Sequence, residues 1–108
     1  MRMHLTEYAA HVMFVLVSVV QGDFEWDPRK ALLNLAKHGI SFDEAATVFA
    51  DVEAVYLGDP KHDERLWVIG LSAHARVLLV VCTEKSDRTR IISAKKAEKH
   101  EAKLYSAG

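Results

Sequence analysis

The run Val77-Leu78-Leu79-Val80-Val81-Cys82 constrains this chain more than any other stretch. It offers no polar position for a wet face, so it reads as a strand buried on both sides, in the middle of a sheet. In a chain of 108 residues, such a strand dictates its surroundings: other strands must pair with it and helices must cover it. The predicted central strand runs from Arg76 to Glu84. Two strands precede it, Ala54 to Leu57 and Glu64 to Leu71, separated by the breaker Gly58-Asp59-Pro60. Lys85-Ser86-Asp87 is a tight turn, and Arg88 to Ile92 is the next strand. Strands joined so closely form an antiparallel meander.

The rest of the chain supplies the cover. Phe24-Glu25-Trp26 alternates apolar and polar residues, as a short strand does. Asp27 then caps a helix whose first position is Pro28, and Gly39 ends it in a left-handed turn. Leu32, Leu33, Leu35 and Ala36 are its expected buried stripe, while Lys30, Asn34 and Lys37 share another side. Ser41-Phe42-Asp43-Glu44 is a capping box that opens a second short helix, with Phe42, Ala45, Ala46 and Phe49 inward. Ser93 is the expected cap of a closing helix from Lys95 to about Tyr105. That would put Lys95 and Lys96 in a first helical turn, where cations oppose the dipole and where backbone N–H groups favour a phosphate. The order is β-α-α-β-β-β-β-α, an α+β domain with a small, mainly antiparallel sheet, an N-terminal helical hairpin and a C-terminal helix. The helices are expected on one face of the sheet, leaving the other partly free.

One domain is expected over residues 23–108. Residues 1–22 stand apart as an N-terminal extension. The apolar run Val12 to Val20 is too short to span a bilayer. It is also a poor signal peptide, with Glu7 in the leading region and no A-x-A site. It reads as an extra β segment, or as an extension from an early start codon. The net charge of −1 excludes nothing by itself. Its distribution is uneven: residues 41–66 hold seven acids and two bases, residues 85–103 seven bases and three acids. A basic C-terminal third can attract a polyanion. The single cysteine, Cys82, lies within the apolar run and reads as an inert buried thiol, so no intramolecular disulfide is possible. No zinc-ligand spacing and no Gly-rich phosphate loop is present, so neither metal nor cofactor is expected.

The chemistry-bearing candidates fall on the sheet's free face: Arg65, Arg76, Glu84, Arg88 and Arg90, joined by Lys95 and Lys96. Arg88 and Arg90 share a side by alternation. Converging guanidinium groups fit a phosphodiester, because each grips two phosphate oxygens. In RNA cleavage by 2′-oxygen attack, fixed cations can stabilise the growing negative charge. Glu84, His38 or a lysine could carry the proton transfers. The plain alternative for each is a solvated surface charge or, for His38, a favourable cation at a helix end. Trp26 and Trp67 could stack on bases, but core or rim packing is the stronger reading.

Scattered motifs in a fixed order add to this. Phe24-Glu25-Trp26-Asp27 with Lys30 and Asn34, Lys37-His38-Gly39, Ser41-Phe42 and Ala45 come first. Val48-Phe49-Ala50-Asp51, Glu64-Arg65, Ile69-Gly70, Thr83-Glu84, Arg88-Thr89-Arg90-Ile91-Ile92-Ser93-Ala94 and Tyr105 follow. In these the chain resembles the BrnT family of bacterial toxins over about residues 23–106. The resemblance implies a RelE-like fold and a cytoplasmic, metal-independent endoribonuclease that arrests growth. It implies a ribbon-helix-helix antitoxin of the BrnA type that binds the active face, with operator DNA bound only through the toxin–antitoxin complex. Its basic and polar set falls on Lys30, His38, Arg65, Arg76, Arg90 and Lys95. The chain departs from the family in having Cys82 where histidine or tyrosine is common, and Lys95 where arginine is usual. A degenerate, non-catalytic module that only binds nucleic acid or pairs with an antitoxin is the alternative.

Overall fold

The computed structural model describes residues 19–85 and 87–107; most of the apolar N-terminal run, and Ser86 of the expected turn, lie outside them. The elements are β1 (Val19–Gln21), β2 (Phe24–Trp26), α1 (Pro28–His38), α2 (Phe42–Thr47) with a 3-10 turn (Val48–Ala50), β3 (Val55–Gly58), β4 (Leu66–Leu71), β5 (Val77–Lys85), β6 (Arg88–Lys96) and α3 (Lys99–Ala107). They form one six-stranded sheet in the order β1-β2-β6-β5-β4-β3. The apolar run is in β5, paired antiparallel with β4 on one side and β6 on the other. β2 lies parallel to β6 for only two pairs, Phe24↔Thr89 and Glu25↔Arg90. β1, the described end of the N-terminal extension, pairs antiparallel with β2; residues 12–18, the rest of the run read as an extra β segment, lie outside the described residues.

Alternation divides the sheet's two faces. Val68, Leu78, Val80, Cys82, Ile91 and Ala94 point to one side, against Trp26, Ile40, Phe42, Ala45 and Val48. Trp26 meets Phe42 edge-on, with ring centroids 5.9 Å apart. The buried thiol of Cys82 is pushed up to about 12, chiefly by desolvation, and is inert as expected. Ile69 and Leu79 point the other way and are nonetheless buried. α3, which packs on β4 and β5, covers them. The helices therefore lie on both faces, not one: α1 and α2 on the first, α3 over one end of the second.

The closing helix also starts later than expected. β6 continues through Lys96, so Ser93 is a strand residue and Lys95 and Lys96 are not in a helical turn. The nine-residue β5 supplies ladder partners as far as Leu78↔Lys96, and this pairing overrides the local cap signal. The helix opens at Glu98 instead, whose N–H donates to the Glu101 carboxylate at 2.8 Å.

A further correction falls on α1. Its cap Asp27, its Pro28 and its left-handed Gly39 (φ 72°) are as read from the sequence. Its leucines are not inward: Leu32, Leu33 and Leu35 are 69%, 70% and 47% exposed. The buried residue is Asn34. β2 has ended here, leaving the edge of β6 open, and the Asn34 amide replaces the missing strand. It accepts from Ala94 N–H at 3.1 Å and donates to the Ala94 and Ile40 carbonyls at 2.8 and 2.9 Å. Asn34→Ala strands these backbone groups. It should lower the unfolding free energy by about 2 kcal/mol, measurable by urea denaturation; a loss within 0.5 kcal/mol, the ordinary surface range, would contradict this role.

Candidate functional site

The open part of the second sheet face is built by β4, β5, β6 and β2. Register gives its members. Thr83 stands opposite Arg90, Lys85 opposite Arg88, Val81 opposite Ser93 and Leu79 opposite Lys95, and cross-strand partners share a face. Arg90 is even-numbered and Lys95 odd, so simple alternation would set them on opposite sides. A bulge resolves this: Val81 pairs with Ser93 and Cys82 with Ile91, leaving Ile92 as the extra residue. The irregularity aims Arg88, Arg90, Ser93 and Lys95 to one side. Trp67 of β4 faces the same way, opposite Val81. Half-buried Arg65, two residues before Trp67, continues that alternation.

Arg90 is the best anchored of these cations. Its guanidinium donates to the Glu25 carboxylate at 2.7 Å, and both side chains are largely covered, at 23% and 19% exposure. The parallel Glu25↔Arg90 pair of the ladder aligns them. Nearby, Arg88 Nε and Thr83 Oγ1 are buried without a hydrogen-bond partner. Buried polar atoms are rarely left so, and two on one face mark a place with hydrogen-bonding capacity to spare. At the rim, the Trp67 indole N–H donates to Asp59 at 3.1 Å, fixing its ring beside Arg65.

Three expected members are placed elsewhere. Glu84 belongs to the opposite face by register and accepts from the Thr89 hydroxyl at 3.3 Å. Arg76 lies on the helix side, clamped on Glu44 through both Nε and Nη2 and reaching the Gly39 carbonyl at 3.5 Å. Glu44 does not complete the capping box, although Ser41 does accept from its N–H. It is buried, bound by Arg76 and by the Ser72 hydroxyl at 2.7 Å, with His74 3.4 Å away. Lys96 sits on the helix side, opposite Leu78, and is exposed. Lys95 is on the open face, but its ammonium lies 3.0 Å from Glu98 and 3.4 Å from Glu101. Desolvation lowers its pKa, but the Glu98 hydrogen bond and the Glu101 charge outweigh it, so the net shift is upward.

Lys30 and His38 form a second cluster. With Lys37, Leu33, Asn34, Ile92 and Ser93 they line a shallow groove of about 210 Å³ between α1 and the bulged edge of β6. β6 links the two places, since Arg90 and Ser93 are three residues apart on it. A depression of about 420 Å³ between β2 and α2 holds none of these cations. Among the described residues, no three His, Cys, Asp or Glu side chains converge as a metal cluster, and no helix is long and apolar enough to cross a membrane.

Sequence reasoning missed Glu25 as the partner of Arg90, although the signal was there: Phe24 and Trp26 face the core, so the residue between them must face out. Trp26 is indeed core, while Trp67 is a rim residue of the open face.

The family model described as the ribonuclease toxin BrnT of type II toxin–antitoxin systems matches residues 26–101. No curated protein matches. Among solved structures, the chain is similar to the ribonuclease toxin BrnT of Brucella abortus, at 25% identity and a TM-score of 0.55, over 68% of this chain and 94% of that one.

Proposed function

Because this chain belongs to the family of BrnT ribonuclease toxins of type II toxin–antitoxin systems, we propose that it is a metal-independent endoribonuclease acting in the cytoplasm through the open face around Arg90. In this reading the sheet and its helices are a RelE-like arrangement. The antitoxin is a ribbon-helix-helix protein of the BrnA type, and operator DNA is met only in its complex. The observation that carries the site is the grouping of Arg88, Arg90 and Thr83 on one face, with Arg88 Nε and Thr83 Oγ1 buried and unpaired.

The chemistry follows from those positions. The ribose 2′-hydroxyl gives its proton to a base and its oxygen attacks the adjacent phosphorus; a 2′-O–P bond forms, the P–O5′ bond breaks and the leaving 5′-oxygen takes a proton from solvent, giving a cyclic phosphate and a 5′-hydroxyl. Arg65, Arg88 and Arg90 hold the phosphate oxygens and stabilise their added charge; Arg90 does so without reorganising, since β6 and Glu25 fix it beforehand. Glu25, 2.7 Å from Arg90, is a carboxylate on the same face. It takes the base role in place of Glu84, whose side chain faces away. Lys30, Lys37 and His38 attract the flanking backbone along the β6 edge. Trp67 offers its half-buried ring to a base.

The test is incubation of the protein with a defined single-stranded RNA in EDTA, beside an Arg65→Ala/Arg90→Ala variant. Fragments ending in cyclic phosphate from the wild type alone are expected. Intact RNA in both samples, repeated with ribosomes present, would instead favour the non-catalytic module.

A further inference from the structure

α1 presents an apolar face that the fold does not use. At about 100° per residue, Leu32 and Ala36 point directly away from Asn34, which is pinned to the sheet. Leu35 and Leu33 flank them, and the three leucines are 47–70% exposed. Clustered leucines on the outer side of a short helix cost solubility and mark an interaction surface. Their surroundings specify the partner. α1 carries Arg29, Lys30, Lys37 and His38 and no acid. A second copy of the chain would set two such basic helices against each other. The apolar residues ahead of β1, 12–18, carry no acid to meet them. RNA would meet the cations but gain nothing from the leucines.

We infer that this face is the docking surface for the antitoxin of the same system, through an amphipathic segment with an apolar stripe and acidic flanks. The inference rests on membership of a type II toxin family and not on the RNA-cleavage reading. Leu33 also lines the groove with Lys30, Lys37 and His38, so a helix seated on the leucines covers that groove and denies it to RNA. Recognition is of the helix-in-groove kind, with Leu32 and Leu35 as anchors and Arg29 and Lys37 steering the approach.

The test titrates the purified antitoxin encoded beside this chain into the full-length protein and into two variants. Leu32→Gln/Leu35→Gln keeps helix propensity and removes the anchors. Its affinity should fall about a hundredfold, at a factor of ten per 1.4 kcal/mol, while RNA cleavage by the toxin alone is unchanged. Arg29→Glu should lower affinity about tenfold and flatten its salt dependence. An affinity within threefold of wild type for the double variant would overturn the inference. So would a wild-type chain that is a dimer by light scattering and becomes monomeric in the double variant, since the face would then belong to a second copy. If the wild type binds the antitoxin through these leucines yet cuts no RNA, the docking surface stands and the catalytic reading fails.

Discussion

Arg76→Ala should lower the unfolding free energy by about 3 kcal/mol, near the low end of what uncovering a buried charge costs. The charge uncovered is that of Glu44, whose side chain is 2% exposed while that of Arg76 is 35% exposed. A carboxylate at that depth is tolerable only with its partners in place. The Arg76 hydrogen bond, first among the causes, holds the Glu44 carboxyl below the ordinary 4.5, burial opposes it, and Ser72 adds to the lowering. A depressed folded-state pKa means that the native protein binds fewer protons than the unfolded chain. The stability that Glu44 contributes is then fully present above about pH 4.5 and is lost as pH falls through the folded value. Without Arg76 only Ser72 and His74 oppose the cost of burial, and Glu44 takes up a proton more readily. The cost of Arg76→Ala should therefore be largest near neutrality and shrink below pH 4.5. Urea titrations of both proteins at pH 7 and pH 4 measure this. A difference that is equal at the two pH values would show that Glu44 is not what Arg76 serves.

That expectation changes what a toxicity assay on Arg76 can mean. From the sequence, an arginine at the start of a strand joins Arg65 and Arg90 as one of a catalytic set. In the fold, Arg76 and Leu78 share the helix side of β5, and the guanidinium closes over α2. Loss of toxicity in Arg76→Ala would then report unfolding, and the Glu44→Gln/Arg76→Met pair, which removes both charges, should recover much of the stability.

The fold was legible where local signals and pairing agree. The apolar run of β5, the breaker at Asp59-Pro60 and the Asp27-Pro28 helix start each state one thing, and each is found as read. Legibility failed where a non-local contact outranked a local one. Ser93 has a cap's chemistry, but β5 is long enough to hold β6 extended past it. Leu32, Leu33 and Leu35 have a core's chemistry, but the sheet edge needs hydrogen bonds at that point and Asn34 turns the helix to supply them. The site was half legible for a related reason. Strand alternation groups Arg88 with Arg90 and, correctly followed, excludes Glu84. Only the bulge at Ile92, which pairing shows and spacing does not, brings Lys95 to the same face. That lysine then proves to be engaged by Glu98 and Glu101, so a charge counted toward RNA from composition is largely spent on the start of α3.

Arg90→Ala should reduce RNA cleavage by about a hundredfold or more, the usual cost of removing one preorganised stabilising donor, with a much smaller effect on stability. Arg90 is held on two sides: the β5–β6 ladder sets its backbone and Glu25 its guanidinium, at 2.7 Å. It is thus oriented before substrate arrives, which is what makes a cation effective on a transition state. Arg90→Lys separates charge from geometry. Lysine keeps the charge but loses the planar fork, so it should still bind RNA with nearly wild-type salt dependence while cleaving it at least tenfold more slowly. Glu25→Gln is the companion variant. It loosens Arg90 and removes the carboxylate proposed as base, so its rate should fall and the acid limb of the pH–rate profile should change, whereas a purely structural Glu25 would leave that profile in place. Single-turnover cleavage of one defined RNA across pH 5 to 9, for the wild type and the three variants, provides all of these readings. Wild-type rates in both Arg90 variants would move the reaction away from this face, toward the Lys30–His38 groove across the β6 edge.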